Sequence, residues 1–203
     1  VVLDLGYGTL PRLLEVRPTG DVDAVVITHE HPDHCIDLHA LARVRAYGPL
    51  DQDPIPLFCP PGVVDRLAGI EPDLDLHAVF SVRPLPGRYE LGPLTLTSIL
   101  LPHFVDKVGI RLEAGGLTLA YTGDTAPVPA LADLGRDADL FIVEATDRPG
   151  EHLRQERHLM TAAEAGQWAR AAGAQRLLLT HFWPGTDRQD SVAAARMHFA
   201  GEV

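Results

Sequence analysis

The sequence has few cysteines, no long apolar runs and little positive charge. Cys35 and Cys59 are its only cysteines, too few for a disulfide framework, and this favours a reducing cytoplasm. The longest apolar runs, such as residues 140–143 and 177–179, have the length of a strand, so we expect no membrane-spanning helix and no membrane association. Positive charge is also scarce. Lys and Arg number 17 against 28 Asp and Glu, and the net charge of −11 argues against a broad electrostatic surface for nucleic acid.

What the chain does contain is a regular alternation of apolar strand-like and helical patterns. Strands are predicted over residues 1–5, 24–28 and 55–59, with helices over 10–16, 34–47 and 63–70. Closely spaced strands follow over 78–83, 94–101, 108–113 and 117–121, with Gly115-Gly116 as a hairpin turn. The alternation then returns, with strands at 140–144 and 177–180. This pattern predicts an α/β fold in a single domain over residues 1–203. No initiator Met precedes Val1 and no cap follows at the end, so we expect a chain clipped at both termini.

The segment 29–34 is unusually rich in metal-binding residue types. It reads His-Glu-His-Pro-Asp-His and directly follows the predicted strand 24–28. In an extended turn His29 and His31 point the same way and can bind one cation. Asp33 and His34 begin the next helix and can bind a second from another direction. Imidazole and carboxylate are ligands of zinc and its neighbours.

Two imidazoles do not complete a metal site, and three further residues can supply the missing ligands. His103 follows the strand predicted over 94–101, Asp124 follows the strand 117–121, and His181 follows the strand 177–180. Functional groups gather at strand ends in α/β proteins, although the residues lie far apart in the chain. We therefore predict that these three residues join the first four.

Taken together, these motifs resemble the metallo-β-lactamase superfamily along nearly the whole chain. The resemblance implies an αβ/βα sandwich of two mixed β-sheets flanked by helices. It also implies a dinuclear centre in which His29, His31 and His103 hold one metal. Asp33, His34 and His181 would hold the second metal and Asp124 would bridge the pair, because a shared anion offsets the repulsion between two cations.

Within the superfamily, three further motifs are similar to those of the tRNase Z-like phosphodiesterases: His103-x5-Gly-Ile-Arg, Glu144-Ala-Thr and His158-Leu-Met-Thr. That resemblance implies that Asp33 orients the attacking hydroxide and that His158, paired with Glu144, helps to protonate the leaving group. Alternatively, His158 lies in a solvated loop ahead of a helix that Thr161 caps together with Glu164. We expect Lys107 to be solvated, with a phosphate contact as the alternative.

The chain departs from tRNase Z because it lacks a long insertion between Arg111 and Gly123 and any arm for tRNA. It is more similar to short actinobacterial members, some of which resemble cyclic-nucleotide phosphodiesterases. We therefore expect a cytoplasmic, zinc-dependent phosphodiesterase of small substrates, with manganese or iron as alternative metals and structured RNA disfavoured. A lactonase, esterase or thioesterase of the same fold, and a metal-binding module without catalysis, remain alternatives. The branch also allows a homodimer, although no stretch of sequence identifies an interface.

Overall fold

A computed structural model of the protein describes residues 1–48, 53–148 and 157–203. Over these residues the chain forms ten strands and seven helices and divides into two compact units, Val1–Pro86 and Gly87–Val203. Each unit contains one β-sheet, its own helices and its own hydrophobic core. The predicted α/β class, with two sheets and flanking helices, is therefore confirmed, whereas the single domain over residues 1–203 stays a prediction.

The first unit is built on a four-stranded sheet in the order β1-β2-β3-β4. Its elements are β1 (Val2–Leu3), α1 (Thr9–Val16), β2 (Val25–Val26), α2 (Pro32–Ala46), β3 (Ile55–Cys59), α3 (Val63–Ala68), α4 (Leu76–Val79) and β4 (Phe80–Pro84). All three strand pairs are parallel, although the resemblance implied a mixed sheet. Parallel neighbours require crossover connections, and the helices between these strands provide them. Leu38 and Leu41 of α2 are buried in the same core as Leu57 of β3.

The second unit is built on a six-stranded mixed sheet in the order β10-β9-β8-β7-β6-β5. Its elements are β5 (Arg88–Leu91), β6 (Leu94–Leu100), β7 (Val108–Ala114), β8 (Leu117–Tyr121), α5 (Ala130–Leu134), β9 (Leu140–Glu144), α6 (Ala162–Ala172), β10 (Leu177–Thr180) and α7 (Arg188–Arg196). Strands β5 to β8 pair antiparallel, whereas β8, β9 and β10 pair parallel. Gly115 and Gly116 both have positive φ, at 58° and 81°, and form the predicted turn between β7 and β8.

The direction of the strands in the second unit brings several carboxyl ends to one edge of the sheet. Strand β6 runs in the same direction as β8, since both pair antiparallel with β7. Because β8, β9 and β10 are parallel, the segments that follow all four strands leave the sheet at the same edge. This explains how residues more than 75 positions apart in the sequence, such as His103 and His181, can approach each other.

Two elements differ from the sequence predictions. The predicted strand over 78–83 is observed as strand β4, but its first two residues belong to the short helix α4, which Asp75 caps with its side chain. Strand β5 was not predicted, because its alternating exposed positions include Arg88 and Glu90. Among the described residues, no helix combines the length and the apolar character needed to cross a membrane.

Candidate metal centre

The first donor group consists of His29, His31, Asp33 and His34, which lie between β2 and the first turn of α2 in the first unit. His31 is the N-cap of α2 and has an extended backbone, and Pro32 occupies the first helical turn, where proline is favoured. His29 and His34 are buried, whereas the Asp33 side chain is 49% exposed. His29 Nε2 and His31 Nδ1 lie 3.0 Å apart. Two nitrogens bound to one tetrahedral zinc are separated by about 3.3 Å, so this pair is suited to a single ion.

Asp4, at the end of β1, fixes the orientation of this donor group through one carboxylate. Its Oδ2 accepts hydrogen bonds from His34 Nδ1 at 2.7 Å and from the Thr28 hydroxyl at 2.9 Å. Since that hydroxyl donates to Asp4, it accepts from His29 Nδ1 at 3.0 Å. The hydrogen-bond pattern therefore assigns a proton to Nδ1 of both imidazoles. Their Nε2 atoms carry the lone pair, which is the form in which histidine binds a metal.

Gly6 allows the loop after β1 to contact the backbone of the same donor group. A Cβ atom at this position would lie 1.6 Å from the carbonyl oxygen of Asp33, far inside van der Waals contact. The neighbouring Leu5 amide donates to the His34 carbonyl at 2.7 Å. The absence of a side chain at Gly6 is therefore necessary for the loop to hold the start of α2 in place.

The second donor group consists of His103, Asp124 and His181, which follow strands β6, β8 and β10 in the second unit. The Asp124 side chain is 5% exposed. Its Oδ2 lies 3.9 Å from His103 Nε2 and 3.4 Å from His181 Nε2. One buried carboxylate thus approaches both imidazoles, as a bridging ligand would. His103 Nδ1 contacts the carbonyl oxygen of His158 at 3.1 Å and must donate to it, so His103 Nε2 carries the lone pair.

Thr146 fixes His181 in a backbone conformation that few residues adopt. His181 has φ +58°, in the left-handed region that is uncommon for a residue with a Cβ atom. The Thr146 hydroxyl donates to the His181 carbonyl at 2.7 Å and lies 2.6 Å from His181 Nδ1. Because the hydroxyl proton is donated to that carbonyl, the hydroxyl oxygen accepts from Nδ1. The His181 lone pair is therefore also on Nε2, the atom that approaches Asp124.

Glu144, the last residue of β9, is fully buried, but it does not form the predicted pair with His158. Its carboxylate accepts hydrogen bonds from the backbone N–H groups of Thr125, Thr146 and Met160. His158 Nδ1 is buried and has no hydrogen-bond partner among the described residues. Burial, and next the negative charge of Asp124, raise the pKa of Glu144 to about 8. The prediction that His158 is held by Glu144 is therefore wrong, because within the described residues that carboxylate binds backbone amides and the Thr146 side chain instead.

His158 is instead held through its backbone and its ring. Its carbonyl accepts from His103, and the exposed Phe104 ring packs on its imidazole with 3.8 Å between the ring centroids. The alternative prediction for the following helix is confirmed as well: Thr161 is the N-cap of α6 and forms a capping box with Glu164. The capping box explains how α6 begins, but it leaves the His158 ring beside the second donor group.

Lys107 differs from its predicted solvated state. Its side chain is fully buried, and its ammonium donates to the carbonyl of Thr122, two residues before Asp124. The Thr122 hydroxyl in turn accepts from the Glu144 amide at 3.2 Å. Lys107 therefore supports the loop that carries Asp124, and no solvated side chain is available there for a phosphate.

Seven residues of the described chain could hold a metal ion, and all are imidazoles or carboxylates: His29, His31, Asp33, His34, His103, Asp124 and His181. They are the residues that the sequence motifs single out. The four histidines with an assigned tautomer present Nε2, and neutral imidazole with carboxylate is a donor set that suits zinc or a similar divalent ion. The chemistry of the donors and their hydrogen bonds therefore fit the metals that the resemblance implies.

Comparison with known proteins identifies the family. The sequence profile described as "Beta-lactamase superfamily domain" matches residues 3–182. The chain belongs to this superfamily. The match includes all seven candidate ligands and confirms the resemblance that the motifs indicate.

Relatives within the superfamily align over most of the chain. An uncharacterized protein of Mycobacterium leprae is 34% identical over 217 residues, covering 100% of this chain and 74% of the relative. Probable metallo-hydrolase YhfI of Bacillus subtilis is 28% identical, covering 100% and 83%. Its crystal structure matches with a TM-score of 0.84 at 26% identity, over 98% of this chain and 81% of that one. Ribonuclease Z of Kineococcus radiotolerans is 28% identical, covering 90% and 74%. Membership of this superfamily supports hydrolase activity.

Sequence analysis missed the residues that orient the superfamily ligands. Asp4, Thr28 and Thr146 each fix a histidine tautomer, yet none lies in a ligand motif of its own. A signal for Thr146 was present, since it belongs to the Glu-Ala-Thr motif that was attributed to Glu144 alone. Asp4 precedes Gly6 in a loop between β1 and α1, but only the fold shows that this loop meets His34, thirty residues later.

Proposed function

We propose that the protein is a dinuclear metal-dependent phosphodiesterase that acts on small phosphodiesters such as cyclic nucleotides. In this proposal the two donor groups act together. His29, His31 and His103 would hold one ion, Asp33, His34 and His181 would hold the other, and Asp124 would be the ligand shared by both. Zinc is the proposed metal, with manganese or iron as alternatives.

The observation that carries the choice of phosphodiesters is the position of His158. Its backbone contacts the candidate ligand His103, and its Nδ1 is buried without a partner among the described residues. An imidazole can hold a proton near neutral pH and release it to a leaving group. Departure of an alkoxide from a phosphodiester requires such a proton, whereas hydrolysis of an activated ester or lactone depends on it much less. The similarity to a ribonuclease Z supports the same substrate class.

The residues of the chain have separate roles in the proposed reaction. Bound metal ions supply an activated water and polarise the phosphoryl oxygen. Asp33, the exposed carboxylate of the first donor group, orients the attacking water. His158 delivers a proton to the departing oxygen, and the Phe104 ring restricts the orientation of its imidazole.

The preference for small substrates is supported by what joins β7 to β8. In this chain the connection is the two-residue turn Gly115-Gly116, which leaves no room there for an arm that could bind a structured RNA. The net charge of −11 also opposes the approach of a polyanion. A small phosphodiester carries a single negative charge, which the proposed cations would offset locally.

We further propose a cytoplasmic location and a small-molecule partner. A cytoplasmic location agrees with two cysteines that are both buried thiols. The proposed partner is a small phosphodiester, neither RNA nor a membrane is proposed, and a homodimer is proposed without an assigned interface.

A substrate panel on zinc-loaded protein tests the proposal. The panel contains 2′,3′- and 3′,5′-cyclic nucleotides, bis(4-nitrophenyl) phosphate, a precursor tRNA, an acyl homoserine lactone and a thioester. We expect turnover of the small phosphodiesters that disappears with a chelator and returns with added zinc. Turnover of the lactone or thioester alone would contradict phosphodiesterase activity and favour the carbonyl hydrolases. Absence of turnover despite bound metal would favour a module without catalysis.

A further inference from the structure

Glu144 connects three loops of the second unit through a single carboxylate. Its Oε1 accepts from the Thr125 amide at 3.0 Å and from the Met160 amide at 3.1 Å. Its Oε2 accepts from the Thr146 amide at 3.0 Å. The carboxylate and all three donor residues are buried, so water does not compete for these bonds. A buried carboxylate with these hydrogen bonds restricts the movement of the three loops relative to one another.

Each of the three loops carries a residue of the proposed site. Thr125 directly follows the bridging ligand Asp124, and Met160 lies two residues after His158. Thr146 contacts His181 through its hydroxyl. The three hydrogen bonds to Glu144 therefore reach two candidate ligands and the candidate proton donor, although Glu144 contacts none of those side chains by a hydrogen bond.

The hydrogen-bond pattern is that of an acceptor and not of a proton relay. Both carboxylate oxygens accept from backbone N–H groups, and the Thr146 side chain also hydrogen-bonds to the carboxylate. A relay with His158 would need a hydrogen bond to its imidazole, yet His158 Nδ1 has no partner among the described residues. The carboxylate is thus bound to the loops around it and has no hydrogen bond to the His158 ring.

We propose that Glu144 is a positioning residue that holds the Asp124, His181 and His158 loops in place relative to one another. Thr146 connects Glu144 to His181 and fixes the Nδ1-protonated tautomer of His181. This inference rests on the proposed function for the identity of the site. It differs from a role of Glu144 in acid–base catalysis, because it places the effect of Glu144 on the geometry of the ligands.

Three substitutions separate these roles. Glu144→Gln retains one oxygen for the Thr125 and Met160 amides but places an NH2 group against the Thr146 amide, so it interrupts the link to His181. Thr146→Val removes the hydroxyl and keeps the shape, whereas Thr146→Ser restores the hydroxyl. Glu90→Gln, an exposed change in β5 of the same unit, is the matched control.

The first readouts are independent of turnover. In zinc-loaded protein we expect a slowly exchanging His181 Nδ1–H resonance in the wild type, in Thr146→Ser and in Glu90→Gln. We expect this resonance to be lost in Thr146→Val and to exchange faster in Glu144→Gln. Zinc affinity, measured by competition with a chromophoric chelator, should fall about 10- to 100-fold in Glu144→Gln and Thr146→Val, as for other residues that orient metal ligands. Unchanged resonance and affinity in both variants would overturn the proposal.

The kinetic readout compares leaving groups. If Glu144 positions ligands, Glu144→Gln lowers kcat by a similar factor for a 4-nitrophenyl and for an alkyl phosphodiester. A loss confined to the alkyl ester, with intact zinc affinity, would assign Glu144 to acid–base catalysis and overturn the proposal. If the wild type hydrolyses no phosphodiester, the proposed function fails, while the resonance and the zinc affinity still decide the role of Glu144.

Discussion

The substitution Asp4→Asn tests how strongly one carboxylate controls the first donor group. Asp4 Oδ1 accepts from the Thr28 amide at 2.7 Å, and Oδ2 accepts from His34 Nδ1 and the Thr28 hydroxyl. If the asparagine oxygen keeps the Thr28 amide, its NH2 group faces two donors. His34 then loses the acceptor that keeps its proton on Nδ1, and His29 loses the orientation that the Thr28 hydroxyl provides.

The expected magnitude follows from the role of Asp4 in orienting metal ligands. Changes at residues with this role lower metal affinity about 10- to 100-fold. We therefore expect zinc affinity to fall by one to two orders of magnitude, or about 1.4–2.8 kcal/mol. Both proposed ions should be affected, because His29 and His34 would bind different ions.

Competition with a chromophoric chelator measures this affinity. Asp23→Asn is the control, since Asp23 is an exposed aspartate of the same unit and the substitution changes the net charge equally. The control should bind zinc as the wild type does. If Asp4→Asn also binds zinc with wild-type affinity, the assignment of tautomers through Asp4 is refuted.

Two further predictions concern the second unit. The variant His158→Ala should keep its metals but lose about two to four orders of magnitude in the turnover of an alkyl phosphodiester. The loss for a 4-nitrophenyl ester should be much smaller, because that leaving group departs without a proton. Equal losses on both substrates would exclude proton donation by His158. The second concerns the metal-free protein, in which burial and the charge of Asp124 raise the pKa of Glu144 from 4.5 to about 8. The folded state then retains a proton that the unfolded state releases, so the free energy of unfolding should decrease as the pH rises between these values, by at most about 1.4 kcal/mol per pH unit. Urea unfolding of metal-free protein across this pH range measures how steeply the free energy of unfolding falls with pH. Glu144→Gln should make this fall less steep. An identical pH dependence in wild type and variant would refute the raised pKa of Glu144.

The sequence predicts the site best where several metal-binding residue types lie in one short segment. The segment 29–34 follows a buried strand, and its residue types alone indicate metal binding. His103, Asp124 and His181 could be added because polar residues directly after apolar strands are exceptions to the surrounding pattern. The family match confirms this route from motif to superfamily.

The residues that orient these ligands could not be predicted, because their contacts depend on the folded backbone. Asp4 meets Thr28 and His34 across 24 and 30 residues of sequence. The motif indicates that Glu144 is functional, but most of its partners are backbone N–H groups, which the sequence does not reveal. Lys107 was expected in solvent, and only the fold reveals that a buried carbonyl accepts from its ammonium. The type of a side chain predicts which of its atoms can bind a metal or form a hydrogen bond, whereas the fold determines which partners those atoms contact.

The most direct measurement is the metal content of purified protein that has been saturated with zinc and then freed of unbound metal. Two zinc ions per chain in the wild type, and a lower ratio after His29→Ala or His181→Ala, are the predicted result. A wild-type protein that retains no zinc, manganese or iron under these conditions would contradict the dinuclear centre from which every proposed step follows.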